Sequence, residues 1–234
     1  MKNFTHLKRS TFQSILLLMI AVSMLACKKT DVTPTPVTNL RVANTSPTGA
    51  TYNAYLSGTL LNSVALPFAG SSTYKAGAPG SYTIKFTTAS NTESLFNKDI
   101  TLAQNAYASF YLINKPGQLD GVLTTDDLSV PDASKAYIRF INLSPDAAAL
   151  DLLKTGATTS LITNKAFKAI SGFIAVDAGT ISLDAKETSS GTIKATLAGT
   201  GLTAGYHYDV IFAGLANPAN DTERPLSLRV LKIQ

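Results

Sequence analysis

The chain has 234 residues, 20 of them basic and 15 acidic, with one cysteine, two histidines and no tryptophan. The formal charge of +5 overstates the folded part: Lys2, Lys8 and Arg9 precede Cys27, leaving 17 basic residues against 15 acids, and setting aside Lys28 and Lys29 leaves 15 against 15. That balance argues against a nucleic-acid binder, which needs a concentrated basic patch, and one cysteine with a single histidine after it excludes Cys/His zinc sites.

The first element in chain order is a leader. Residues 1–9 are basic and carry no acid, and Ile15 to Leu25 is apolar except for Ser23. A basic start, a short apolar run and a small residue before the cut describe a secretory signal. The run is too short to cross a bilayer, which takes roughly 20 apolar residues. Met24-Leu25-Ala26-Cys27 resembles a bacterial lipobox, with Met24 where a leucine is usual. Cys27 is therefore expected to carry the lipid and to open the mature chain, since stable anchoring takes more than one acyl chain. Asp31 to Thr38 reads as an extended tether because of Pro34 and Pro36.

The remaining chain repeats itself. Leu40 to Gly58 and Ile138 to Gly156 align without a gap, 98 positions apart. Arg41 matches Arg139, Asn44 matches Asn142, and Ser46-Pro47 matches Ser144-Pro145. Phe68 then matches Phe167, and Gly80 matches Gly179, at nearly the same shift. Both copies read as strands. Tyr82, Ile84 and Phe86 alternate with polar residues, as do Ile138 and Phe140. "ASFYLI" and "YHYDVIFA" are nearly continuous apolar runs that suit buried central strands. "SLRVLKI" ends apolar on both faces, so its orientation stays open. Ser-Pro, Pro-Gly and Ser-Pro-Asp turns separate the strands. About seven short strands per roughly 100 residues is the profile of a β-sandwich.

"AYIRFINLSPDAAALDLLKTG" and the later "LTAGYHYDVIFAG" resemble domain-of-unknown-function family 4397, over about Ala136 to Leu215. The first copy follows more loosely, with Thr48 where the second has Asp146. The resemblance implies a fold and brings no activity. The leader and the Lys-Lys-Thr-Asp start also look like lipoproteins of Bacteroidetes-type bacteria.

Candidate chemistry is sparse. His207 and Asp209 share one strand face, which would orient an imidazole, but Tyr206, Tyr208, Val210 and Phe212 form the apolar face. His207 and Asp209 then simply occupy the polar one. The carboxylate pairs Asp126/Asp127, Asp146/Asp151 and Asp184/Glu187 would suit glycoside hydrolysis or calcium, yet none has the spacing of a calcium loop. Asp146 after Ser-Pro reads as a turn residue. Six of nine tyrosines lie in the first copy. Tyr52, Ala54 and Leu56 share a face there, and Tyr55 takes the other, where it could stack on a sugar or a protein.

The sequence thus predicts an all-β chain: two tandem immunoglobulin-like β-sandwich domains without disulfide. The expected bounds are a signal over 1–26, lipidated Cys27 and tether over 27–38, a first repeat over 39–127, a linker over 128–135 and a second repeat over 136–234. The expected function is a non-catalytic envelope lipoprotein, a binding or scaffolding module held by its lipid in the membrane, the outer membrane in the Bacteroidetes reading. A glycan or an envelope protein is the expected partner, with Tyr55 the candidate contact. No catalytic, metal or cofactor residue is assigned. The alternatives are a glycan-acting hydrolase with a carboxylate pair and a purely structural spacer.

Overall fold

In the computed structural model, residues 35–233 are described. Cys27, the leader and most of the tether lie outside the described residues. Every regular element among the described residues is a strand.

The first copy supplies β1 (Thr38–Asn44), β2 (Tyr52–Leu56), β3 (Thr59–Leu60), β4 (Gly70–Ser71), β5 (Lys75–Gly77), β6 (Gly80–Thr88), β7 (Phe96–Leu102), β8 (Ala106–Ile113) and β9 (Asp120–Asp126). The second supplies β10 (Lys135–Asn142), β11 (Leu150–Lys154), β12 (Ser160–Lys165), β13 (Ile174–Asp177), β14 (Gly179–Glu187), β15 (Ile193–Leu202), β16 (His207–Ala213) and β17 (Ser227–Lys232).

Each copy folds into two sheets. In the first they run β4-β1-β8-β9, with β5 also on β1, and β3-β2-β6-β7. In the second they run β13-β10-β16-β17 and β12-β11-β14-β15. The copies share one uncommon feature: the opening strand pairs in parallel with the late central strand, β1 with β8 and β10 with β16. The registers correspond, with Arg41 beside Ser109 and Arg139 beside Asp209. β8 and β16 are central strands, as their unbroken apolar runs predict.

Strand alternation sends every second side chain inward. Leu40, Val42, Phe110 and Leu112 meet Tyr52, Ala54, Ile84 and Phe86 in the core of the first sandwich. Ile138, Phe140, Val210 and Phe212 meet Leu150, Leu152, Leu183 and Ala185 in the second. The opposite faces are not left to water. Ala43, Tyr111 and Ile113 pack against Ile141, Leu143, Ile211 and Ala213, with Phe68 and Phe167 against this cluster. The β1/β8 and β10/β16 sheets therefore lie back to back, and the two sandwiches form four layers with three cores. The residues from Pro36 onward make one compact unit. This third core explains why "SLRVLKI" is apolar on both faces: Leu228 and Val230 turn to the second core, and Leu231 to the junction.

The repeated Asn-x-Ser-Pro motif is structural. Asn44 Oδ1 accepts the Ser46 N–H at 3.0 Å while its Nδ2 donates to Leu66 O at 3.0 Å. Asn142 does the same with Ser144 at 3.2 Å and Lys165 O at 3.0 Å. One buried amide side chain thus fixes the exit of the opening strand in both copies. Beyond it the copies diverge. Asp146 accepts the Ala216 N–H at 2.9 Å, tying its turn to a loop 70 positions on. The first turn docks on the second copy instead: Gly49 N–H donates to Thr222 O at 2.6 Å, and Arg224 N–H to Pro47 O at 3.0 Å. Thr48, 9% exposed, lies in that contact.

Candidate functional site: a buried ionic junction and the surfaces around it

The polar residues of β1, β8, β10 and β16 converge at the junction. Arg41 Nε donates to Ser109 Oγ at 2.7 Å, and its Nη2 reaches Tyr111 OH at 3.1 Å and Asp209 of the second copy. Arg139 Nε donates to Asp209 Oδ1 at 2.6 Å, and its Nη2 to Tyr111 OH at 2.8 Å. The same Nη2 lies 2.6 Å from Asp126 Oδ1, an ion pair off the hydrogen-bond axis that crosses back to the first copy. Ser109 and Tyr74 donate to Asp126 Oδ2 at 2.6 and 2.5 Å. Tyr111 donates to Asp209 Oδ2 at 2.5 Å.

Two guanidinium groups thus face two carboxylates, so the cluster is neutral. Arg41, Arg139, Asp126 and Asp209 are all 5% exposed or less. Burial opposes charge on both arginines. The carboxylates and the surrounding tyrosine hydroxyls outweigh it, and both guanidinium pKa values rise. Burial also pushes the Tyr111 and Tyr74 hydroxyls up, with Asp209 and Asp126 adding to it. These tyrosines act as neutral donors. Breaking such a cluster at one member leaves an unpaired buried charge.

His207 and Asp209 lie on the face of β16 opposite Tyr208, Val210 and Phe212, as the alternation predicts, but that face is buried. Asp209 is fully buried and His207 is 2% exposed. Their face is polar because it meets another sheet, not because it meets water. His207 Nε2 lies 3.1 Å from Ser129 O, and its ring stacks on Tyr137 at 4.9 Å. Burial lowers its pKa. Tyr206 precedes β16 and is 37% exposed, so it is not part of the apolar face.

The carboxylate pairs separate. Asp126 belongs to the junction, whereas Asp127 is exposed and accepts the Ser129 N–H at 3.1 Å. Asp151 accepts from Asn164 N–H, Thr188 and Ser160, and these bonds overcome burial to hold its pKa low. Asp184 accepts from Thr196 at 2.7 Å. Glu187 is held low by Ser190 and Lys194. Among the described residues no three His, Cys, Asp or Glu side chains gather as a metal site.

Tyr52 and Ala54 are fully buried and Leu56 packs against the same core, on the predicted face. Tyr55 is half-buried on the other face of β2, beside Lys85 in register, with the Lys85 ammonium 4.7 Å from its ring centre.

Arg41 and Arg139 match in the repeat register, but the sequence pattern assigns neither a role. The available signal was an arginine in the middle of an otherwise apolar strand in both copies, with an aspartate in a second such strand.

Residues 38–153 match the family model described as Domain of unknown function (DUF4397). This stretch belongs to that family. The DUF4397 match runs from the first residue of β1 into β11, so it takes in the whole first copy and the opening of the second. The motifs legible by eye stand out in the second copy instead. No curated protein matches the chain. One similar solved structure is CBMbc (family CBM26) from Eubacterium rectale Amy13K in complex with maltoheptaose. It shares 11% identity over 84% of this chain and 97% of that one, with a TM-score of 0.28. Another, described as alpha-glucan binding by a streptococcal virulence factor, shares 10% identity over 67% and 83%, with a TM-score of 0.23. Likeness at this level carries no function across to this chain.

Proposed function

We propose that this chain is a non-catalytic cell-envelope lipoprotein whose four-layer body binds or displays a partner outside the membrane. Cys27 carries the anchor and the Thr/Pro tether sets the body off the outer-membrane surface. The observation that carries the non-catalytic reading is the fate of the best candidates for chemistry. His207, Asp209 and Asp126 are buried, and their side chains are taken up by contacts within the chain.

A glycan-acting hydrolase needs one carboxyl held protonated near neutral pH. The carboxylates whose pKa moves, such as Asp151 and Glu187, are held low. In the binding reading, a glycan or an envelope protein is the partner, and Tyr55 remains a candidate contact on the outer face of the first sandwich.

The test pairs two assays on the mature protein. Wild type should incorporate labelled fatty acid and fractionate with membranes, Cys27→Ala should do neither, and neither protein should hydrolyse ester, peptide or glycoside substrates. Equal membrane retention of Cys27→Ala would remove the anchor. Hydrolysis that is lost with Asp151→Asn or Glu187→Gln would restore the enzyme reading.

A further inference from the structure

We propose that the cleft at the seam between the two sandwiches, with Arg139 in its floor, binds a neutral sugar unit. The inference rests on the reading of this chain as a binding protein, and it assigns a place and a ligand class that Tyr55 does not.

The cleft has a volume of about 350 Å³, within the usual range for small-molecule sites. Both copies build it. Thr124, Asp127 and Ser129 come from the end of β9 and the connection after it, and Tyr137, Arg139 and Phe173 come from the second copy. Thr124 lies two residues from Val122 and from Asp126, so strand alternation turns it to the junction side.

Arg139 gives the cleft its chemistry. Its Nε and Nη2 are spent on Asp209, Tyr111 and Asp126. Nη1 is the nitrogen left over. Nη1 of Arg41 is buried without a partner, whereas Nη1 of Arg139, which makes no hydrogen bond among the described residues, is not shut off in that way. Arg139 is 98% buried, lines the cleft and keeps one donor nitrogen without a partner among the described residues. Its position is fixed from behind by three partners and by Phe173, whose ring centre lies 4.6 Å from the guanidinium carbon.

Charge selects the ligand class. The guanidinium already faces two carboxylates, so it does not call for an anion. Asp127, at the rim, would repel one. A cation would meet the guanidinium. A neutral ligand with adjacent hydroxyls satisfies both: one oxygen accepts from Nη1, and a neighbouring hydroxyl donates to Asp127. The Thr124 hydroxyl adds an adaptable partner, the Ser129 hydroxyl already bonds Asp127, and Phe173, which also packs on the Arg139 guanidinium, gives an apolar wall for the C–H face of a ring. That combination is a monosaccharide unit.

The experiment uses the full mature chain in detergent, with saturation-transfer NMR on glucose, galactose, mannose and N-acetylglucosamine at millimolar concentration. Saturation should reach at least one of the four. Asp127→Asn and Thr124→Val, both away from the buried pairs, should each weaken it about tenfold. No transfer to any of the four sugars overturns the inference. Tighter binding of glucuronate than of glucose overturns the neutral class. Binding that survives Asp127→Asn and Thr124→Val but is lost with Tyr55→Ala overturns the cleft while leaving the binding reading standing.

Discussion

Asp209, in the second copy, ion-pairs with Arg41 of the first, and neither is more than 1% exposed. In the repeat register the neighbour of Arg41 within its own sheet is Ser109, where the second copy has Asp209 beside Arg139. One half of the chain lacks its own carboxylate at this position and takes that of the other. The duplication has therefore diverged into two complementary parts, each unsatisfied without its partner.

Asp209→Ala should remove a carboxylate shared by two guanidinium groups. The expected loss is roughly 3–5 kcal/mol of unfolding free energy, read as a lower urea midpoint. Arg41→Met combined with Asp209→Leu leaves Arg139 with Asp126, one charge of each sign. The double variant should lose less than the two single losses added together, because the charges are removed in a pair. Strict additivity would mean that the pair across the junction is not coupled.

The connection between β9 and β10 is tied at two points. Ser129 O faces His207, and the Asp132 backbone both donates to and accepts from the Tyr137 hydroxyl, at 2.7 and 2.9 Å. Cutting it at an engineered protease site between Pro131 and Lys135 should leave two fragments that elute together and separate only in denaturant, because the third core and the ionic cluster hold them. Fragments that part under native conditions would show that the two sandwiches are independent.

Gly214 has a φ of 112°, and a Cβ there would sit 2.1 Å from Pro225 O. Gly58 also has a positive φ, 89°, but an added Cβ would meet nothing within 4 Å. Gly58→Ala should therefore cost only the left-handed backbone, roughly 1–2 kcal/mol. Gly214→Ala should cost more, roughly 3 kcal/mol or above, since backbone must move. Equal melting temperatures for the two variants would contradict the close approach.

Local rules carried the sequence reading a long way. The alternation in "YTIKF", the continuous runs of β8 and β16, the Ser-Pro turns and the inward face of Tyr52 and Ala54 are each set by neighbours in the chain. The back-to-back packing was not legible for a specific reason. Alternation reports that two faces differ, not what each face touches. Arg41, Arg139, His207 and Asp209 interrupt apolar strands in the way solvent-facing residues do, and a buried, charge-balanced junction gives the same pattern. Asn44 and Asn142 are a gentler case: their spacing before Ser-Pro was visible, but the far acceptors, Leu66 O and Lys165 O, come from segments more than twenty residues on.

His207 should make the junction sensitive to mild acid. Burial lowers its folded-state pKa, while the unfolded chain keeps the ordinary value near 6.5. Arg139 adds to the lowering, and Asp126, Asp127 and the Ser129 carbonyl oppose it without reversing it. As pH falls through 6.5 the unfolded state takes up a proton that the folded state does not, so unfolding becomes more favourable. Stability should be flat above about pH 7.5 and fall below 6.5, at no more than about 1.4 kcal/mol per pH unit from this group. His207→Gln keeps a donor for Ser129 O and removes the titration. Its urea midpoint should stay level from pH 7.5 to 5.5, where the wild-type midpoint declines. A parallel decline in the variant would assign the acid sensitivity to another group.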